Sequence, residues 1–343
     1  MGGSGEVAEA NLGFLFNNMI SASGEKHRRL RMVGNKVFMP KYIEKFRPNV
    51  EAVVKERMDF ALSGALFDLV EDFSAQITVA MICAILGVPR SDMNTIRGWA
   101  AILGENSGAS TWIPELDPKL VAQGRNTGIA MGNYFTDLLA ERSKNPREDD
   151  ILSAFLQVEV DGEKLSHEEV LSMAMLLLLA GNETTTNLIT NIIRLFDAFP
   201  AQLHALRQNL ELTNDVVEEA LRMRSSIRNV DRYALKDVEI GGVTIPKGGL
   251  VVVWLSAANR DPAVFENPDE FLVTRSKQNR HIAFGQGMHM CLGAPLARME
   301  AQLAIRAILE SGAMVELVGP PEIGPNGNFD IVTKQMVRFR TLP

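Results

Sequence analysis

Phe284-Gly-Gln-Gly-Met-His-Met-Cys-Leu-Gly-Ala-Pro-Leu-Ala-Arg298 is the stretch around which the chain is organised. It sets Gly285, Gly287, Gly293 and His289 close around Cys291. Glycines leave the backbone free of side chains, so N–H groups can approach both a sulfur and a flat ring laid against it. From Leu292 to Leu309 the residues are rich in Ala, Leu and Arg at helical spacing, which puts Cys291 just ahead of a helix N-terminus. Partial positive charge at that end favours the thiolate and lowers the cost of burying it. A lone cysteine is ordinarily inert core. The glycine spacing reverses that reading and makes Cys291 a thiolate ligand to haem iron.

Composition bounds what the rest can be. The 343 residues are 46% hydrophobic and carry a net charge of −7, from 35 Lys+Arg against 42 Asp+Glu. A chain of this size buries a large core as one large or two smaller domains. With no basic block interleaved with aromatics, nucleic acid is not the expected partner. Cys83 and Cys291 are far apart and no secretory signal precedes them, which favours a reducing compartment over a disulfide scaffold. The longest apolar run, Leu171 to Ala180, is too short to cross a bilayer. The opening Met1-Gly-Gly-Ser-Gly resembles a linker rather than a targeting sequence.

Outward from the cysteine loop, most of the chain reads as helix. Glu25 to Phe38 is a basic amphipathic helix with His27 and Arg31 one turn apart on one face. Pro40 to Phe60 and an apolar run from Leu66 to Leu86 follow, the latter ending at Gly87-Val-Pro89 and holding Cys83 as core. Ser91 to Gly108 and Asp117 to Arg142 are further helices. Ser166-His-Glu-Glu169 is a capping box, and the periodic residues then run to Phe199, about 45 Å of helix at ~1.5 Å per residue. The middle of that helix, Ala180-Gly-Asn-Glu-Thr-Thr-Thr186, interrupts an apolar face with weak helix formers, and a local cost of this kind marks a site. Gly181 would leave room for a small ligand, Thr184 would hold a hydrogen bond and Glu183 would pass protons inward. Asn214 to Met223 is a short helix carrying Glu219 and Arg222 on one face. The sheet signal is concentrated in Val238 to Trp254, a hairpin leading to another strand, and in short strands from Val315 to Arg340. No zinc, Walker or nucleophile-elbow motif competes, and Met290 stands where a dinucleotide fingerprint needs its third glycine.

Taken together and in this order, the loop Phe284-Gly-x-Gly-x-His-x-Cys-Leu-Gly293, the pair Glu219-x-x-Arg222 and the helix motif Ala180-Gly-x-Glu-Thr-Thr resemble the cytochrome P450 family, in particular its soluble prokaryotic type. The resemblance runs from about residue 20 to the end. It implies a mainly α fold with a small β region (α+β), a single catalytic domain over 1–343, and a haem b cofactor held between the long helix and the cysteine loop. Cys291 would be the proximal thiolate, Phe284 would pack over it, and Gly285 and Gly293 would shape the loop. His27, Arg31, Arg232 and His289 would hold the haem propionates. Ala180 and Gly181 would border the oxygen groove, with Glu183 and Thr184 as the acid–alcohol pair. Glu219, Arg222 and Arg275 would form a buried structural network.

The implied activity is monooxygenation of an apolar substrate with dioxygen and electrons from NAD(P)H. No flavin or iron–sulfur segment lies in the sequence, so a separate ferredoxin or flavodoxin with its reductase is the expected partner, docking near the loop and the basic helix at Arg28, Arg29 and Lys36. The expected setting is cytoplasmic, without a membrane anchor. Met175, Leu179 and Arg228 to Val230 are expected to face the substrate. Two alternatives are a peroxide-driven member and a haem-binding but catalytically silent one. The second arises because only 26 residues precede His27, fewer than the family usually carries, so the chain reads as N-terminally truncated.

Overall fold

A 32-residue helix, His167–Ala198, forms the axis of the molecule. Its start follows from the capping box: the Ser166 hydroxyl accepts the Glu169 N–H at 3.2 Å, and the Glu169 carboxylate accepts the Ser166 N–H at 2.9 Å. Val170, Leu178, Ile189 and Ile192 are fully buried along it, so the helix is covered by neighbours on most sides. The computed structural model describes residues 18–107, 118–275, 280–324 and 328–340, and the Met1-Gly-Gly-Ser-Gly opening lies outside them.

In chain order, α1 (Gly24–Val37), α2 (Pro40–Ile43), α3 (Arg47–Ala61) and β1 (Leu66–Asp68) lead through a π-helical turn, Leu69–Ser74, into α4 (Ala75–Ile85). Next come α5 (Met93–Ser107), α6 (Pro118–Lys144), α7 (Ile151–Gln157), the short strands β2 (Glu159–Val160) and β3 (Glu163–Lys164), and the axial helix as α8. The second half holds α9 (Pro200–Gln208), α10 (Thr213–Met223), β4 (Asn229–Tyr233), β5 (Val238–Ile240), β6 (Val243–Ile245), β7 (Leu250–Trp254) and α11 (Leu255–Ala258). The last elements are α12 (Ala294–Glu310), β8 (Met314–Ile323) and β9 (Val332–Arg340). Helices α4, α5, α6, α10 and α12 pack on α8. Among the described residues no helix is long and apolar enough to cross a membrane.

Two departures from the sequence reading have local causes. Leu66 to Leu86 is not one helix, because Leu66–Asp68 pairs antiparallel with β9, Phe67 opposite Val337. Asp68 enforces the break: its carboxylate accepts the N–H of Val70 at 3.0 Å, capping the next turn, and that of Gln335 at 3.1 Å, docking the sheet. An apolar run does not disclose a strand partner at the other end of the chain. The β5–β6 hairpin does lead into another strand, β7, but the partner of β7 was not foreseen. Strand β7 pairs with Asn229–Tyr233, a strand the sequence reading did not assign, with Val230 opposite Val253. Gly241 and Gly242, at φ +57° and +79°, make the two-residue hairpin turn that only such residues form without strain.

Candidate active site at the cysteine loop

The loop before α12 is a set of tight turns. Gly285 and Gly287 sit at φ +67° and +74°, where a side chain would be strained. The Cys291 N–H donates to the Phe284 carbonyl at 2.8 Å, closing the loop under the sulfur. Gly293 differs from the other two, at φ −79°, open to any residue. Its contribution, with Ala294, is a backbone N–H aimed at the Cys291 sulfur. Surrounding protein pushes the Cys291 thiol pKa up, and the Gly293 N–H, Arg31, the Ala294 N–H and Arg298 draw it back down. Yet the residue is exposed. A sulfur set deep among protein atoms but still accessible forms the wall of a cleft. Cys83 is the contrast: buried in α4, its thiol is pushed up to about 12 by desolvation first.

Two arginines and two histidines from three parts of the chain gather at this loop. His27 on α1 is buried at 4% exposure, its ring 4.3 Å from that of His289. Arg31, one turn on, donates to the Met290 carbonyl and to Asn35 Oδ1 at 3.0 Å. Arg232 is exposed at the end of β4. Burial and then the charges of His27, Arg232 and Arg31 hold the His289 pKa down, with no carboxylate among the groups acting on it. His27 Nε2 is buried with no hydrogen-bond partner. An orphaned imidazole nitrogen among a second imidazole and two guanidiniums, at the loop of an accessible thiol, fits a group that brings its own carboxylates to the cleft.

This ring predicts a pH dependence. His27, like His289, has a folded pKa below the ordinary 6.5, by burial first and Arg31 second. A depressed folded pKa contributes stability that is present above about pH 6.5 and lost as pH falls and the rings must charge. Carboxylates placed in the ring oppose that loss. The melting midpoint of the apo protein should therefore drop more steeply between about pH 7 and about pH 5 than that of haem-loaded protein; parallel slopes would mean the ring holds no anion.

The middle of α8 is open to solvent. Ala180 is exposed although most neighbours on the helix are buried, and Leu179, Gly181 and Thr184 are partly open. The Thr184 hydroxyl donates to the Ala180 carbonyl at 2.8 Å, and the Thr184 carbonyl accepts the Ser226 hydroxyl at 2.8 Å. Behind them Thr78 Oγ1 lies 2.7 Å from Thr186 Oγ1 and 3.1 Å from Asn182 Oδ1, a buried polar knot that no sequence motif announced.

Two expectations for this face are corrected. Gly181 is not one of them: it stays partly open, and a Cβ there would meet only Ile82 Cδ1, at 3.4 Å. Glu183 is turned against α5, its Oε2 only 2.8 Å from where a Cβ at Gly104 would stand. Consecutive helical residues point about 100° apart, so Glu183 and Thr184 do not share a face. Met175 is core, at 1% exposure, and the Arg228 guanidinium is held by Asp330 at 2.6 Å instead of facing the cleft.

Glu219, Arg222 and Arg275 form one network away from the cleft. The Glu219 carboxylate accepts Arg222 at 2.8 and 2.9 Å, Arg275 at 2.9 Å and the Leu272 N–H at 3.0 Å. The chain is 35% identical over 304 residues to cytochrome P450 109 of Bacillus spizizenii, an alignment that takes in 89% of this chain and 74% of that one. The chain belongs to the cytochrome P450 family. A family model described as Cytochrome P450 matches residues 201–325. Cytochrome P450 monooxygenase PikC of Streptomyces venezuelae is 35% identical over 300 residues, covering 86% of this chain and 69% of PikC. Among solved structures, P450BioI in complex with an acyl carrier protein ligated to hexadec-9Z-enoic acid superposes with a TM-score of 0.90 at 33% identity, over 99% of this chain and 86% of that one. CYP109E1 from Bacillus megaterium in complex with testosterone gives 0.86 at 31%, over 94% and 86%. The protein is thus a P450 oxidoreductase of the monooxygenase class with the α+β P450 fold and haem b as cofactor.

The P450's basic helix α1 uses three of its cations to fasten itself to neighbouring elements. Arg28 pairs with Glu25 and with Asp161 at 2.9 Å, Arg29 with Glu169, and Lys36 donates to the Glu159 carbonyl at 2.7 Å. These three fasten α1 to the β2–β3 turn and to the start of α8, which fixes the helix that carries His27 and Arg31. Met288 and Met290, 66% and 44% exposed, are the accessible apolar groups on the cysteine loop itself.

Proposed function

We propose that this P450 inserts one oxygen atom from dioxygen into an apolar substrate, by hydroxylation or epoxidation. Its electrons start on NAD(P)H and arrive through a separate ferredoxin or flavodoxin and its reductase. The observation that carries the reading is the accessible Cys291 sulfur, with the Gly293 and Ala294 N–H groups aimed at it and His27, Arg31, Arg232 and His289 gathered at its loop without a carboxylate among them. When bound, haem supplies the iron at which dioxygen is cleaved, a cleavage favoured by electron donation from a thiolate ligand. Cys291 would be that ligand, with Gly293 and Ala294 N–H groups moderating its charge and Phe284 and Gly285 shaping its loop. His27, Arg31, Arg232 and His289 would hold the propionates. The chain, 1–343, would act as one catalytic domain.

Thr184 Oγ1 would hold the proton needed on the distal side. A hydroxyl donates one proton and accepts others, so it can exchange its bond to the Ala180 carbonyl for one to an acceptor in the cleft. An apolar substrate class is supported by the partly open Leu179 and Val230, and by the fatty-acyl and steroid ligands of P450BioI and CYP109E1. Haem spin-state titration with long-chain acids and steroids tests the class, and a panel giving neither spectral shift nor product would sink it. In Thr184→Ala we expect oxygen uptake to continue while product per oxygen falls about tenfold or more. That is less than the ~10²–10⁴ of a fully lost proton donor, because water can take its place. Unchanged coupling would overturn the dioxygen route in favour of a peroxide-driven one.

A further inference from the structure

Next to Glu219, whose carboxylate serves the structural network, stands a second carboxylate that the mechanism has not used. Glu218 accepts Arg298 twice, Nε to Oε1 at 2.6 Å and Nη2 to Oε2 at 2.8 Å, and lies 3.0 Å from His281 Nε2. His281 precedes the cysteine loop and Arg298 stands one turn into α12 behind it. One side chain of α10 therefore ties together the two ends of the loop that carries Cys291. The histidine is oriented for this. Its Nδ1 accepts the Ala283 N–H at 3.2 Å, which leaves Nε2 as the nitrogen that donates to Glu218. The start of the loop is pinned a second time, because the Ile282 N–H donates to Asn259 Oδ1 at 2.7 Å.

The other half of the arrangement concerns charge. The Arg298 guanidinium carbon lies 4.6 Å from the centre of the Phe284 ring, a cation–π contact. The carbonyl of that same Phe284 accepts the Cys291 N–H. A planar guanidinium gripped along its Nε–Nη2 edge by a carboxylate and on one face by an aromatic ring has little freedom. Its charge is held at a set place against the ring whose backbone closes the Cys291 loop.

We propose that Glu218 is a positioning residue of the P450 cysteine loop, closing its two ends and fixing Arg298 so that the guanidinium tunes the haem potential through Cys291. The proposal rests on Cys291 being the ligand. Reduction adds negative charge to the iron–thiolate unit, so a fixed cation nearby favours the reduced state and a fixed anion opposes it.

The two members of the pair therefore act with opposite sign. In the haem-loaded full chain, Arg298→Gln should move the ferric/ferrous potential negative and Glu218→Gln should move it positive. Haem release to an acceptor such as apomyoglobin should quicken about tenfold in Glu218→Ala, the scale of one charge-assisted hydrogen bond. Glu218→Asp should restore the rate in part. Potentials that shift in the same direction, or that stay put while only thermal stability drops, would overturn the tuning role. Unaltered haem release in Glu218→Ala would overturn the clamp. Wild-type protein is measured first. If its reduced carbon monoxide complex lacks the thiolate band, the ligand assignment itself has failed, and that failure is distinct from any result with the variants.

Discussion

In Cys291→Ala the reduced, carbon monoxide-bound protein loses its thiolate-type Soret band entirely and turnover disappears, while the polypeptide fold persists. The structure argues for each part. Cys291 contributes little to the core, since it is exposed and its loop is closed by its own backbone N–H on the Phe284 carbonyl, a bond that alanine keeps. Exposed substitutions away from strained or paired groups change stability by no more than about 0.5 kcal/mol. Cys83 cannot replace the lost ligand, because it is buried in α4 with a thiol pushed up to about 12. The cation ring is untouched, so some haem still binds through its carboxylates, with an altered spectrum. Far-ultraviolet dichroism, haem content and the reduced carbon monoxide spectrum together check the prediction. Persistence of the thiolate band in the variant would show that another group binds the iron.

That loop was legible in sequence because glycine spacing encodes backbone conformation: Gly285 and Gly287 are needed at positive φ. The long helix was legible for a similar reason, since Ser166 and Glu169 write its start. Less legible was anything that depends on which side of an element a residue faces. Glu183 and Thr184 read as a pair in the sequence, but the helical turn between neighbours sends the carboxylate towards Gly104 and leaves the hydroxyl on the cleft side. Long-range pairing was hidden too. Leu66–Asp68 joins β9 from the far end of the chain, and the cations of α1 read as free surface until Asp161 and Glu169 came into view as their partners. The adjacent acids Glu218 and Glu219 carried a usable signal. Two carboxylates in succession on a helix address different neighbours, so a partner for the first was to be expected near the loop.

Glu219→Ala should be the most damaging single change outside the cleft. Glu219 is fully buried, and its removal leaves Arg222, also fully buried, and Arg275 without their counter-charge. Breaking one partner out of a buried ionic network costs about 3–5 kcal/mol, set against a typical domain stability of about 5–15 kcal/mol. The loss spreads beyond the ion pairs. Arg222 donates to the carbonyls of Asn259 at 3.0 Å, Pro268 at 2.7 Å and Glu270 at 2.9 Å, so it organises the irregular segment that precedes the cysteine loop. Asn259 links that segment onward to Ile282. We therefore expect Glu219→Ala to yield protein that is poorly folded or empty of haem, read as a lowered urea midpoint and a low haem-to-protein ratio. A paired change, Glu219→Leu with Arg222→Met, removes both charges at once and should cost less than the two single changes added together. Full additivity would mean that the two groups are not coupled and that the segment is held by its backbone alone.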